Sequence, residues 1–138
     1  MAVGFKVDFY WYQVGNGDFL YSFFSTVAYR LEGAKWGSRF PVIMKKLYQG
    51  KIKRRDVDKA IKELNIIKKE LQAFAPDQVV WNIEDLSEQP PWGNDISEDI
   101  TDLSNYFVTS EGEDFISVFL DALETAKEIK SAIEIVSI

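Results

Sequence analysis

The chain has 138 residues, 46 % hydrophobic and 14 % aromatic, which suits one folded domain over residues 1–138 and excludes a disordered chain. It contains neither cysteine nor histidine, which excludes disulfides, thiolate zinc sites, cysteine nucleophiles and Ser-His-Asp machinery. The net charge of −6 conceals a split: 12 basic residues fall between Lys35 and Lys69, whereas Glu70 to Ala126 holds 14 acids and no Lys or Arg.

In chain order, Val3, Phe5, Val7, Phe9 and Trp11 alternate with Gly4, Lys6, Asp8, Tyr10 and Tyr12, which predicts one strand over 3–12. Gly15-Asn16-Gly17 is a turn, and Asp18 is the expected cap of a helix whose apolar face is Phe19, Leu20, Phe23, Phe24, Val27 and Leu31. A second short helix is expected from Ser38, with Pro41 in its first turn and Gly50 as its stop. The clearest helix opens at Asp56, with Val57, Ala60, Ile61, Leu64, Ile67 and Leu71 on one stripe, and ends before Pro76.

Residues 78–83, with Val79, Val80, Trp81 and Ile83, predict a second strand. A loop with Pro90, Pro91, Trp92 and Gly93 follows, long enough inside a compact domain to suggest a functional role. A third strand is expected over 105–109, then a capping box from Ser110 to Glu113 opening a helix with Phe115, Ile116, Phe119, Leu120 and Leu123. Residues 132–138 predict a last strand. The order β-α-α-α-β-β-α-β suggests an α+β two-layer sandwich. It follows the ferredoxin-like β-α-β-β-α-β plan with extra helices after the first, on a mostly antiparallel four-stranded sheet.

Asp95, Glu98, Asp99 and Asp102 would share one helical face, yet no calcium-loop spacing is present, so the acids are read as solvated and no metal is expected. Glu84 with Asp85, and Glu113 with Asp114, are adjacent and point apart, so neither pair is read as catalytic and no enzyme is expected. Gly15-Asn16-Gly17-Asp18 lacks the phosphate-loop pattern, and Asp18 would repel a phosphate; no cofactor is expected. The run Lys51-Ile52-Lys53-Arg54-Arg55 is read as a solvated loop rather than a direct nucleic-acid contact. Trp81 is expected in the core and Trp92 partly exposed amid acids, in the manner of a protein–protein anchor.

A block of carboxylates can present to a basic cleft what a nucleic-acid backbone presents, and speed encounter with a basic partner. Nucleases carry such clefts, so a nuclease inhibitor is one reading.

The stretch from Met1 to Gln13, then Gly17-Asp18-Phe19-Leu20 and Trp36-Gly37-Ser38, is similar to a bacterial immunity protein. So are Val80-Trp81-Asn82-Ile83-Glu84-Asp85-Leu86, Gln89-Pro90-Pro91-Trp92-Gly93, and Asp102 to Thr109. Together these strings resemble immunity-protein family 70 of bacterial polymorphic toxin systems, from end to end of the chain. The resemblance implies a non-catalytic antitoxin that binds and neutralises the C-terminal toxin domain, a nuclease by expectation, of a cognate secreted toxin.

On that reading the toxin interface is expected at Glu84, Asp85, Glu88, Trp92, Asp95, Glu98, Asp99 and Asp102. The start of the chain lacks the apolar run of a signal peptide and no stretch is long enough to span a membrane, so a cytoplasmic protein without membrane contact is expected. The alternative is a non-catalytic adaptor or regulatory domain for another basic protein or peptide, engaged by strand addition at a sheet edge.

Overall fold

A computed structural model describes residues 2–93 and 95–137. The alternating N-terminal run is not one strand but a hairpin: β1 (Ala2–Val7) and β2 (Tyr10–Asn16) pair antiparallel, with Val7 opposite Tyr10. Asp8 makes the reversal in the left-handed region (φ 53), which Asp tolerates better than most residues. The alternation runs on through the two turn residues, which is why it reads as unbroken.

The reversal also reassigns the faces. Phe9 lies at the tip, 93 % exposed, and Trp11 shares the outer face with its partner Lys6, while Tyr12 lies opposite Phe5 on the helix-covered face. Tyr12 reaches the Thr125 hydroxyl at 2.6 Å. The Trp11 ring lies across Gly4, where a Cβ would come within 2.4 Å of the Tyr12 carbonyl oxygen and 2.7 Å of the ring.

Helix α1 (Gly17–Thr26) follows, capped by Asn16, whose Oδ1 accepts the Phe19 amide at 2.8 Å; Asp18 sits in the first turn rather than at the cap. The helix runs on as a π-helical turn, Val27–Leu31. The expected second helix is another π-helical turn, Val42–Leu47, with no side-chain cap from Ser38. A two-residue strand β3 (Lys51–Ile52) leads to α2 (Val57–Leu71), whose buried stripe agrees with the sequence reading. Helix α3 (Phe115–Glu128) and β4 (Ile133–Ser137) complete the fold.

The sheet order is β2-β1-β4-β3, antiparallel throughout. The fold is therefore α+β on one four-stranded antiparallel sheet, but the element order is not the ferredoxin-like plan. Residues 78–83 and 105–109 do not enter the sheet; its places are filled by the hairpin's second strand and by β3. α1 and α3 cover one face of it, and α2 packs on α3. Phe5 stacks on Phe119 at 4.6 Å, and Phe23 meets Phe115 at 4.8 Å and Phe107 at 5.3 Å, edge-on. Such pairs add about 1 kcal/mol each beyond the area they bury.

Two buried carboxylates organise the chain between α1 and α2. Glu32 accepts the amides of Gly37 (2.9 Å), Arg39 (2.9 Å) and Phe40 (3.0 Å). Glu63 of α2 accepts those of Ile43 (2.9 Å) and Val42 (3.3 Å), the free donors at the start of the second π-helical turn. Burial pushes the Glu63 carboxyl above its ordinary value, against the pull of those two amides and of Lys59. At the protein surface the hydrogen bonds from Arg39 hold Glu70 below its ordinary value; the pair closes at 2.6 Å.

Two outcomes follow. Gly4→Ala should destabilise the fold by about 2 kcal/mol, because backbone borders the missing Cβ and cannot yield cheaply; a lowered urea midpoint at unchanged slope would show it. The two carboxylates should act with opposite sign on stability against pH. Stability from Glu63, raised in the folded state, is full below its unfolded value and declines as pH rises through its folded value. Wild type should thus lose stability relative to Glu63→Gln as pH rises from about 4. Stability from Glu70, lowered in the folded state, is present above its unfolded value and is lost on acidification, so wild type should gain on Glu70→Gln as pH rises. Urea unfolding of the three proteins at a series of pH values reads both slopes.

Candidate functional site

The acidic half of the chain is mostly irregular. Between α2 and α3 the described residues hold only a 3-10 turn, Pro76–Gln78, and one bridge, Val108 to Asp114. Part of its backbone, at Gln78, Val80 and Ile83, is satisfied by side chains of α1 and of the π-helical turn that continues it. The buried Thr26 hydroxyl accepts the Val80 amide (3.0 Å) and donates to the Val80 carbonyl (3.2 Å). Ser25 Oγ accepts the Ile83 amide at 3.2 Å, and Arg30 Nε donates to the Gln78 carbonyl at 2.9 Å. The strand expected over 78–83 is therefore docked on a helix, its polar groups met by hydroxyls in place of a neighbouring strand.

The strand expected over 105–109 turns back on itself. The Thr109 amide donates to the Glu113 carbonyl and the Phe115 amide to the Phe107 carbonyl, both at 2.8 Å, and Ser110 N donates to the Val14 carbonyl of β2 at 2.9 Å. The cap of α3 is Asp114, which accepts the Ser117 amide at 3.1 Å; Ser110 and Glu113 form no capping box.

Within this frame Trp81 is buried at 7 % exposure and Trp92 is 38 % exposed, as expected for the two. They meet edge-on at 5.4 Å. The Trp92 indole N–H donates to the Tyr106 hydroxyl at 2.8 Å, and burial raises the Tyr106 phenol above its ordinary value. Two clefts open beside this pair. One, of about 200 Å³, is lined by Phe19, Trp92, Ile96, Ile100, Val108 and Asp95 among others. The second, of about 330 Å³, is lined by Pro76, Asp77, Val79, Gln89 and Pro90 among others. Ile96 and Tyr106 belong to both and form the wall between them.

The expected interface residues lie along this segment on several turns. Trp92 and Asp95 share the first cleft. Glu84, Asp85 and Glu88 occupy the turn before it, where Asn82 donates to Glu88 at 2.8 Å and the Ser87 hydroxyl to Asp85 at 2.6 Å. Burial, and behind it Glu84, raises the Tyr21 phenol; burial, then Tyr21, then Glu84 raise that of Tyr48. Glu98 and Asp99 are exposed in the turn after the cleft.

Asp102 is half-buried. Burial raises its carboxyl, but bonds from Ser104, Thr101 and the Asn105 amide outweigh that and hold it below its ordinary value. It closes its own loop with Asn105, whose Oδ1 accepts the Thr101 amide at 3.0 Å. The four acids from Asp95 to Asp102 run through turns, not one helical face. No group of three or more potential metal-binding side chains converges among the described residues.

Asp77, Ile96 and Tyr106 carry no signal in the sequence as site residues, because they come together only through the irregular fold. Phe9, Tyr10 and Trp11, exposed together at the hairpin tip, were hidden by the expectation of a single strand. Among the described residues, no carboxylate from Asp77 to Glu124 forms an ion pair; the acidic block contributes only Glu70, to Arg39. No helix of the described residues is long and apolar enough to cross a membrane.

No curated protein and no solved structure matches the chain. A protein family described as immunity protein 70 does, over residues 5–135, which takes in most of the hairpin, the three helices and the whole acidic segment. A match of that extent places the chain in the immunity protein 70 family.

Proposed function

We propose that the chain is a stoichiometric inhibitor that binds the C-terminal domain of a cognate secreted toxin in the cytoplasm and neutralises it without turnover. Family membership supports the immunity role. The carboxylates left without an ion pair around a half-exposed tryptophan are what points to a basic partner surface. Such a field steers a cationic protein in and speeds association, and the desolvated aromatic supplies most of the affinity. A nuclease, whose cleft is basic because it grips phosphates, is the toxin class that fits this surface best.

The interface on this reading comprises Glu84, Asp85, Glu88, Trp92, Asp95, Glu98 and Asp99, with Asp102 behind them shaping the loop. Combining Trp92→Ala, Asp95→Ala and Asp99→Ala should weaken toxin binding by about 2 kcal/mol or more, and abolish protection of cells that co-express the toxin. Glu98→Ala alone should mainly slow association. A triple variant that folds, by its urea midpoint, and protects as well as wild type would place the interface elsewhere.

One observation favours a second reading, an adaptor engaged by strand addition. β2 is an edge strand, and its tip carries Phe9, Tyr10 and Trp11 in the open. Pull-down from the native host separates the two: a toxin fragment supports the first, a different basic protein the second.

A further inference from the structure

We propose that the two clefts flanking the Tyr106–Ile96 wall are receptors for two lysine or arginine side chains projecting from one extended segment of the toxin. This rests on the reading of the chain as a toxin inhibitor and names the chemistry of that contact.

The composition of the clefts carries it. The first is walled by Phe19, Trp92, Ile96, Ile100 and Val108, and of the residues that line it Asp95 alone is charged. The second is walled by Pro76, Val79 and Pro90, and of its lining residues Asp77 alone is charged. An apolar channel with a single carboxylate suits a side chain that has a methylene stem and a cationic head, because the stem buries apolar surface while the head keeps a partner. A purely apolar side chain would leave the carboxylate desolvated without a partner. One carboxylate per cleft is too few ligands for a calcium or magnesium ion, which needs six or so oxygens.

The aromatic groups favour the same occupant. Trp92 and Tyr106 both line the first cleft, and an aromatic face attracts a cation, arginine above all. Neither Asp77 nor Asp95 has a hydrogen-bond or ion-pair partner for its carboxylate among the described residues, so both charges are available. The clefts adjoin across one wall, and the proposal assigns them to alternate side chains of an extended strand, which point the same way.

The test uses the full chain and a defined probe, acetyl-Arg-Ala-Arg-amide, with acetyl-citrulline-Ala-citrulline-amide as its uncharged counterpart. The Trp92 indole N–H resonance, assigned by its loss in Trp92→Phe, is followed during titration. The expected result is a saturable shift with the arginine peptide, weakened by salt, and none with the citrulline peptide. Asp95→Asn and Asp77→Asn should each weaken the peptide about threefold or more, and the double variant should lose it. Both residues are exposed and the substitutions are isosteric, so the fold is kept; matching urea midpoints would verify this.

An absent shift, an equal response to citrulline, or unaltered affinity in the double variant would overturn the proposal. A double variant that loses the peptide yet protects cells from the toxin as well as wild type would overturn the assignment of the clefts to the toxin contact and leave neutralisation standing. Charge-dependent peptide binding by a wild type that fails to protect would support the clefts as cation receptors and overturn the inhibitor reading instead.

Discussion

The Thr26 hydroxyl accepts the Val80 amide and donates to the Val80 carbonyl, so one side chain at the end of α1 does for the acidic segment what a neighbouring strand would otherwise do. Ser25 and Arg30 extend the contact to Ile83 and Gln78. A buried amide or carbonyl left without such a partner costs about 1–3 kcal/mol. The irregular segment stays against the core because these donors and acceptors meet there, and because Trp81, Leu103 and Phe107 are buried beneath it. Trp92 then has a fixed neighbour in Trp81.

The charge distribution is the complement of this arrangement. The carboxylates that are buried, Glu32 and Glu63, are spent on backbone amides around the π-helical turns. Most of those of the acidic segment, Asp102 and Asp114 excepted, stay exposed at the surface, where water and salt screen their mutual repulsion. A field of one sign costs the folded chain some stability through that repulsion and returns it only when an oppositely charged surface arrives.

The helices were legible in the sequence because their apolar stripes are long and periodic; α2 in particular keeps Val57, Ala60, Leu64, Ile67 and Leu71 buried as its spacing implies. The strands were less so. The hairpin was concealed because Asp8-Phe9 continues the alternation where a glycine would have marked a turn. Val79 to Ile83 has the composition of a strand and is extended in part, but whether such a segment finds a strand or a helix's hydroxyls is decided by packing, which no local pattern carries. The two tryptophans were sorted correctly into buried and half-exposed. The clefts were not visible, since Asp77 and Asp95 gain a common wall only when Tyr106 is folded back between them.

The hydroxyl contacts of α1 have a consequence for how recognition can diversify. They hold the acidic segment at Val80 and Ile83, while the Ser110 amide ties its far end to β2. Leu103, Tyr106 and Phe107 belong to the core, but residues 84–89 and 97–99 lie on turns with their side chains exposed. The sequence of those turns is thereby largely uncoupled from the scaffold, so on the proposed reading one framework could be refitted to a succession of adversaries by rewriting them, much as a lock is rekeyed without replacing the door.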